Sequence, residues 1–137
     1  METKESRKDI RFLFGNEVFV FGSNRAGRHG RGAAKLAVKF GAVMGKGEGY
    51  YGRTYGIPTK DRKLKVLTLG EIELAINRFI KHAKKNPDMS FQVTEIGCGL
   101  AGYKPKHIAP FFKESLELEN VKLPKRFLEI LQSNNEA

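Results

Sequence analysis

The chain has 137 residues, enough for one domain that buries its own core without a metal or disulfide to staple it. Hydrophobic residues make up 40% of the chain, an ordinary share for a soluble globular protein. The lone Cys98 excludes an internal disulfide framework and fits a reducing cytoplasm. The absence of a long apolar run or signal-peptide pattern predicts no membrane association. A net charge of +10 favours anionic partners such as nucleotides or nucleic acid, although a solvated basic surface explains it equally well.

The first part of the chain predicts a strand, a glycine-rich loop and a helix. Residues 1–9 form a polar, flexible lead, and a short strand over Ile10–Phe14 ends at the Gly15-Asn16 turn. Val18–Gly22 has the apolar, β-branched and aromatic residues of a buried strand. The polar loop Ser23–Gly32 follows, and helical spacing then recurs in Ala33, Ala34, Leu36, Ala37 and Phe40.

The middle of the chain predicts a loop, a strand and a second helix. Gly41–Gly52 predicts an irregular loop, and Tyr51–Ile57 predicts a strand closed by Pro58. Thr68 stands three residues before Glu71, the spacing of a capping box at a helix start. The apolar stripe of this helix is Ile72, Ala75, Ile76, Phe79, Ile80 and Ala83, and the helix ends at Asn86-Pro87-Asp88.

The last part predicts a third strand, Phe91–Ile96, and a second glycine loop, Gly97–Tyr103. Pro105 suits the first turn of a helix to about Leu118 that turns inward Ile108, Phe111, Phe112 and Ser115. Asn120–Leu131 adds a final strand or helix, and residues 132–137 form a disordered tail. Residues 10–131 are therefore one compact α/β domain, with helices on both faces of a mostly parallel sheet.

Three segments that each follow a predicted strand can carry chemistry, because loops at the carboxyl ends of parallel strands gather at one edge. The first offers glycines for close backbone approach and an amide for a sugar hydroxyl; its residues are Gly22, Ser23, Asn24, Gly27, Gly30, Gly32 and Ala33. The glycine order is not that of a dinucleotide fingerprint, so a flexible turn is the alternative interpretation.

The second segment places Thr59, Lys60 and Asp61 just past a strand, where a lysine can contact phosphate or attack a carbon, although most lysines are solvated surface charges. The third suits a phosphate or ribose cradle and contains Gly97, Cys98, Gly99, Leu100, Ala101, Gly102 and Tyr103. Tyr103 can stack on a sugar or base or pack inside, and Cys98 is interpreted as a buried filler, not a nucleophile.

Other sites of chemistry receive little support from the sequence. His29 lies in the first loop, where it can contact an anion or act as an acid. HExxH, CxxC, GxSxG and Walker patterns are absent, so we expect no metal site and no cofactor.

Together these segments resemble the macrodomain fold, a three-layer αβα fold, and its branch of ADP-ribosyl glycohydrolases that includes the DNA ADP-ribosylation antitoxins and the terminal ADP-ribose glycohydrolase. The resemblance rests on Asn24 before the glycine-rich Gly27–Ala34 segment, on Pro58-Thr59-Lys60, and on the loop Ile96–Leu100 of sequence IGCGL. It covers about residues 17–118, and short macro-like phage and bacterial proteins are also similar.

The resemblance implies an ADP-ribose pocket in which Asn24 holds the distal ribose, the IGCGL loop wraps the diphosphate and Lys60 acts at the anomeric carbon. Asp61 is the candidate acid–base partner of Lys60. The protein-directed glycohydrolase carries an aspartate directly after GCGL where this chain has Ala101, whereas the DNA-directed antitoxins have a small residue there. The implied function is removal of ADP-ribose from a nucleic-acid or protein target. A binding module for ADP-ribose without turnover and a basic nucleic-acid-binding domain are the alternatives.

Overall fold

The computed structural model describes residues 3–136, and within them a five-stranded sheet carries helices on both faces. The strands are β1 (Glu17–Asn24), β2 (Gly49–Tyr51), β3 (Thr54–Lys60), β4 (Ser90–Val93) and β5 (Val121–Lys122). The helices are α1 (Gly32–Lys39), α2 (Leu69–Lys85), α3 (Pro105–Ile108), α4 (Lys125–Glu136) and a 3-10 helix over Ala109–Glu117. The strand order is β2-β3-β1-β4-β5 with only β2 antiparallel to its neighbour, so the prediction of an α/β fold with a mostly parallel sheet is confirmed.

The central strand β1 separates two hydrophobic cores, because successive side chains of a strand point to opposite faces. Val18 and Val20 belong to the larger core, together with the buried face of α2, the 3-10 helix and α4. Phe19 and Phe21 belong to a smaller core with Ala34 and Ala37 of α1. The sheet is therefore the middle layer of three.

Helix α2 forms as its sequence predicts. The Thr68 hydroxyl accepts a hydrogen bond from the Glu71 amide, and the Thr68 amide donates to the Glu71 carboxylate, both at 3.2 Å. This capping box satisfies donors that the first turn of a helix leaves free. All six residues of the predicted apolar stripe are buried, and the helix ends at the predicted Asn86.

The segment before β1 differs from its prediction. Residues 10–14 form no strand; instead Ile10 is buried against the smaller core. The expected flexible lead makes ordered contacts from Lys4 onward, since the Ser6 amide donates to the Leu123 carbonyl at 2.8 Å and the Leu123 amide donates to that of Lys4 at 2.9 Å. Met1 and Glu2 lie outside the described residues.

Three further boundaries differ from their predictions. Pro58 lies inside β3 instead of closing it. The pairing of β2 with β3 ends at Gly56, so β2 offers no acceptor for a backbone N–H at position 58, and a proline, which lacks that N–H, is tolerated there. The Gly41–Gly52 segment was expected to be an irregular loop, but it contains β2. At the other end α4 continues to Glu136, so residues 132–136 of the predicted disordered tail are helical, and Ala137 lies outside the described residues.

Candidate functional site

The carboxyl ends of β1, β3 and β4 meet at one edge of the sheet and open a cavity of about 830 Å³. The predicted site residues that line it are Gly22, Ser23, Asn24, Gly30, Gly32, Ala33, Thr59, Lys60, Gly97, Cys98, Gly99, Leu100 and Ala101. Lining residues that the sequence did not single out are Arg28, Arg31, Ala34, Leu64, Thr94 and Glu95. The structure thus brings the three predicted segments together, but it leaves Gly27, Asp61, Gly102 and Tyr103 outside the lining.

Asn24 closes the first loop onto itself. Its side-chain Nδ2 donates to the Arg28 carbonyl at 2.8 Å, and its Oδ1 accepts from the Arg28 amide at 2.9 Å. One amide hydrogen and one lone pair of Asn24 remain for a ligand. Asn24 therefore shapes the loop that presents Arg28 and Gly30 to the cavity.

The loop over residues 41–52 braces this first loop from outside the cavity. The Gly45 amide donates to the Gly27 carbonyl at 2.9 Å. A Cβ at Gly27, whose φ is +69°, would meet the carbonyl carbon of Gly45 at 2.4 Å, and a Cβ at Gly47 would meet the Asn24 carbonyl oxygen at 1.9 Å. Only glycines allow so close a backbone approach.

His29 completes this brace instead of facing a ligand. Its side chain is buried, and its Nε2 donates to the carbonyls of Val43 and Lys46 at 3.1 and 3.2 Å. Because it does not line the cavity, neither suggested role for His29, anion contact or acid, has a place in this geometry.

Lys60 and Asp61 separate at the end of β3. Lys60 lines the cavity, partly buried, in register with Asn24 on β1. Asp61 turns away: its Oδ1 accepts from the backbone amides of Lys63 and Lys65 at 2.8 and 3.0 Å, and these hydrogen bonds lower the pKa of its carboxyl. The resulting turn holds Leu64 at a φ of +66° at the cavity wall. Asp61 shapes this turn and does not reach the site as an acid–base group.

The second glycine loop packs its end against the rest of the domain. Gly97 has a φ of +77°, and an added Cβ there would meet the Ile108 side chain at 3.2 Å. The Tyr103 hydroxyl donates to the Leu67 carbonyl at 2.7 Å, so of the two predicted roles the structure shows packing. Burial raises the pKa of the Cys98 thiol to about 11, so the thiol stays protonated and is a poor nucleophile at neutral pH.

Glu95 is the acidic residue of the cavity lining that the sequence patterns did not indicate. Its two carboxylate oxygens each accept a hydrogen bond of 2.6 Å from the Arg126 guanidinium of α4, and this pairing lowers the pKa of Glu95. Strand β4 ends at Val93, so Glu95 lies beyond the strand end and not within the strand expected over Phe91–Ile96. In the alternation of this segment Glu95 follows the apolar Phe91 and Val93, and a charged residue at the next position of that face was the signal that could have identified it.

Comparisons with known proteins add little to this geometry. No protein-family model, curated protein or solved structure matches the chain. Within residues 3–136, no group of three His, Cys, Asp or Glu side chains is placed to hold a metal ion. In the same part of the chain no helix is long and apolar enough to cross a membrane. What the protein does is therefore argued from the cavity itself.

Proposed function

We propose that this chain is a macrodomain-like ADP-ribosyl glycohydrolase whose cavity binds ADP-ribose and whose Lys60 acts at the anomeric carbon of the distal ribose. One observation carries the proposal: two glycine-rich loops and the start of α1 line one cavity of about 830 Å³ together with a lysine. Ligand cavities of about 300–1,000 Å³ are usual for small molecules and cofactors, so a dinucleotide-sized ligand fits.

The composition of the cavity wall favours a ligand that is anionic and rich in hydroxyl groups. Glycine and alanine leave backbone N–H groups open to phosphate oxygens. Arg28 and Arg31 add two exposed guanidinium groups at the same wall, where they attract a diphosphate. Asn24, opposite Lys60, retains hydrogen-bonding capacity for a ribose hydroxyl.

Lys60 is the side chain that we assign to the reaction at the anomeric carbon. Its amine can attack that carbon, or its ammonium can stabilise the group that leaves. Reductive trapping of a covalent adduct at Lys60, read by mass spectrometry, distinguishes the first of these routes from the second.

A binding module without turnover is the second candidate, and the position of Asp61 favours it. The carboxylate expected to assist Lys60 is bound to the turn over residues 61–65, so the Lys60–Asp61 pair is not assembled at the cavity. Under this alternative the chain binds ADP-ribose and releases it unchanged.

Calorimetric titration with ADP-ribose, with AMP as the control ligand, tests the pocket first. We expect micromolar binding that AMP does not reproduce; no heat at millimolar ADP-ribose would refute the proposal. Lys60→Ala then separates the two candidates, because a glycohydrolase loses turnover and keeps the ligand. Binding of oligonucleotide that falls steeply with salt, with no preference for ADP-ribose, would instead support the basic nucleic-acid-binding domain.

A further inference from the structure

One acidic residue lines the cavity and has no role in the reaction as proposed above. Among the described residues that line it, Glu95 carries the one carboxylate. Hydrolysis at an anomeric carbon ends with attack by water, which must give up a proton as its oxygen bonds to the carbon. The other groups weighed for proton transfer do not serve: His29 and Asp61 lie outside the lining, and Cys98 keeps its proton at neutral pH.

The topology places Glu95 across the cavity from Lys60. Strands β3 and β4 flank β1, so their backbones lie about 10 Å apart, twice the usual spacing between strands. Lys60 ends β3, whereas Glu95 follows the end of β4, and both line the cavity. A sugar ring bound above the end of β1 therefore lies between the strand end that carries Lys60 and the segment that carries Glu95.

The pairing with Arg126 holds Glu95 in place and leaves it able to act. Each carboxylate oxygen accepts one hydrogen bond from Arg126, at 2.6 Å, and an ionised carboxylate oxygen has a second lone pair. The bidentate contact fixes the plane of the carboxylate, which a flexible surface glutamate would lack. It also favours the ionised form, which is the form that accepts a proton.

We propose that Glu95 is the general base of the reaction and that Arg126 is its positioning residue. This inference rests on the proposed glycohydrolase function. As the oxygen of water bonds to the anomeric carbon, one proton of that water passes to a Glu95 oxygen. The bond from that carbon to the leaving atom breaks with its electron pair on that atom, which takes up a proton from solvent. Glu95 returns its proton through solvent, so the sum is addition of one water.

Glu95→Gln tests the assignment, with Glu114→Gln as the matched control, because Glu114 pairs with Lys84 on the surface away from the cavity. The probes are an oligonucleotide with ADP-ribose on a nucleobase and a peptide with ADP-ribose on glutamate. We expect Glu95→Gln to lower kcat by about 10²- to 10⁴-fold while the Kd for ADP-ribose changes by less than about threefold. Glu114→Gln keeps wild-type kcat.

A pH profile reports on Arg126 separately. The charged and titratable groups near Glu95 are Arg126, Lys8 and Cys98. Activity of the wild type falls as pH drops through the lowered pKa of Glu95, and Arg126→Gln moves this fall to higher pH because the pairing is lost. A purely structural role of Arg126 would lower stability without moving the profile.

The outcomes separate the two proposals. If a folded Glu95→Gln variant turns over substrate at the wild-type rate, the role of Glu95 is overturned and the glycohydrolase proposal stands. Absence of wild-type turnover on both probes overturns both. If Glu95→Gln does not fold, Glu95→Ala with added formate replaces it: restored turnover supports the base, and bound ADP-ribose without restored turnover refutes it.

Discussion

The substitution Gly47→Ala tests whether the loop over residues 41–52 holds the first loop of the cavity in place. The φ of Gly47 lies outside the left-handed region, so strain of that kind does not oppose alanine there. Space alone opposes it: the new Cβ would lie 1.9 Å from the Asn24 carbonyl oxygen and 3.1 Å from the Arg25 Cα. Backbone must separate by about 1.5 Å to restore an ordinary contact, and overpacking of this kind costs about 3 kcal/mol.

Two measurements check this prediction. For a urea dependence of about 2 kcal/mol per molar, the loss of 3 kcal/mol lowers the unfolding midpoint by about 1.5 M. The affinity for ADP-ribose falls by about tenfold or more, because displacement of Asn24 misplaces the wall that presents Arg28 and Gly30.

Gly70→Ala is the matched control, since it adds the same methyl group where the nearest atom is Thr68 Oγ1 at 4.0 Å. Gly70 lies in the first turn of α2, so alanine there stabilises by up to about 1 kcal/mol. Alanine thus lowers the free energy of unfolding at Gly47 and raises it at Gly70. A Gly47→Ala protein within about 0.5 kcal/mol of wild type would show that the two loops do not depend on each other.

Three further substitutions each test the role of one hydrogen-bonding side chain. Asp61→Asn keeps an oxygen that accepts from Lys63 and Lys65, so turnover stays within about threefold of wild type, whereas loss of a catalytic acid would cost at least about 10²-fold. Tyr103→Phe removes the hydrogen bond to Leu67 and lowers the free energy of unfolding by about 1 kcal/mol without changing the Kd for ADP-ribose; a weaker Kd would return Tyr103 to the site. Burial opposes ionisation of Glu17, but hydrogen bonds from Arg7 and from the Phe14 amide outweigh it and lower the pKa of Glu17. The ionised carboxylate therefore stabilises the fold at pH values above the ordinary pKa of glutamate, and this stabilisation is lost as the pH falls through the lowered pKa. Urea unfolding at pH 7 and pH 3.5 should therefore show a smaller loss for Glu17→Gln than for wild type, and equal losses would contradict this.

The site could be predicted from sequence where its position depends on local order along the chain. Gly22–Asn24 end β1, Lys60 ends β3 and Gly97–Ala101 follow β4, and parallel strands bring their carboxyl ends to the same edge. Helix α2 could be predicted equally well, because its cap and its apolar stripe depend on residue spacing within one element.

The rest depends on contacts between segments distant in the chain. Nothing within residues 41–52 indicates that Gly47 meets the Asn24 carbonyl, since that contact joins two separate loops. The direction of Asp61 follows from two amides of a turn that its own sequence does not specify. The pairing of Glu95 could not be predicted because its partner Arg126 is about thirty positions further along the chain, on a helix whose place on the sheet only the fold determines.

The charge of the Glu95–Arg126 pair bears on the choice between an enzyme and a binding module. A lone carboxylate in a cavity for a diphosphate repels its ligand, so a module selected for affinity alone gains nothing from Glu95. Arg126 removes most of that repulsion while leaving a lone pair on each carboxylate oxygen. A neutral pair contributes little to binding an anion, whereas under the proposed mechanism its carboxylate accepts the proton of the attacking water. If Glu95→Gln binds ADP-ribose as tightly as wild type and no longer turns it over, the carboxylate serves chemistry, and the cavity is an active site rather than a receptor.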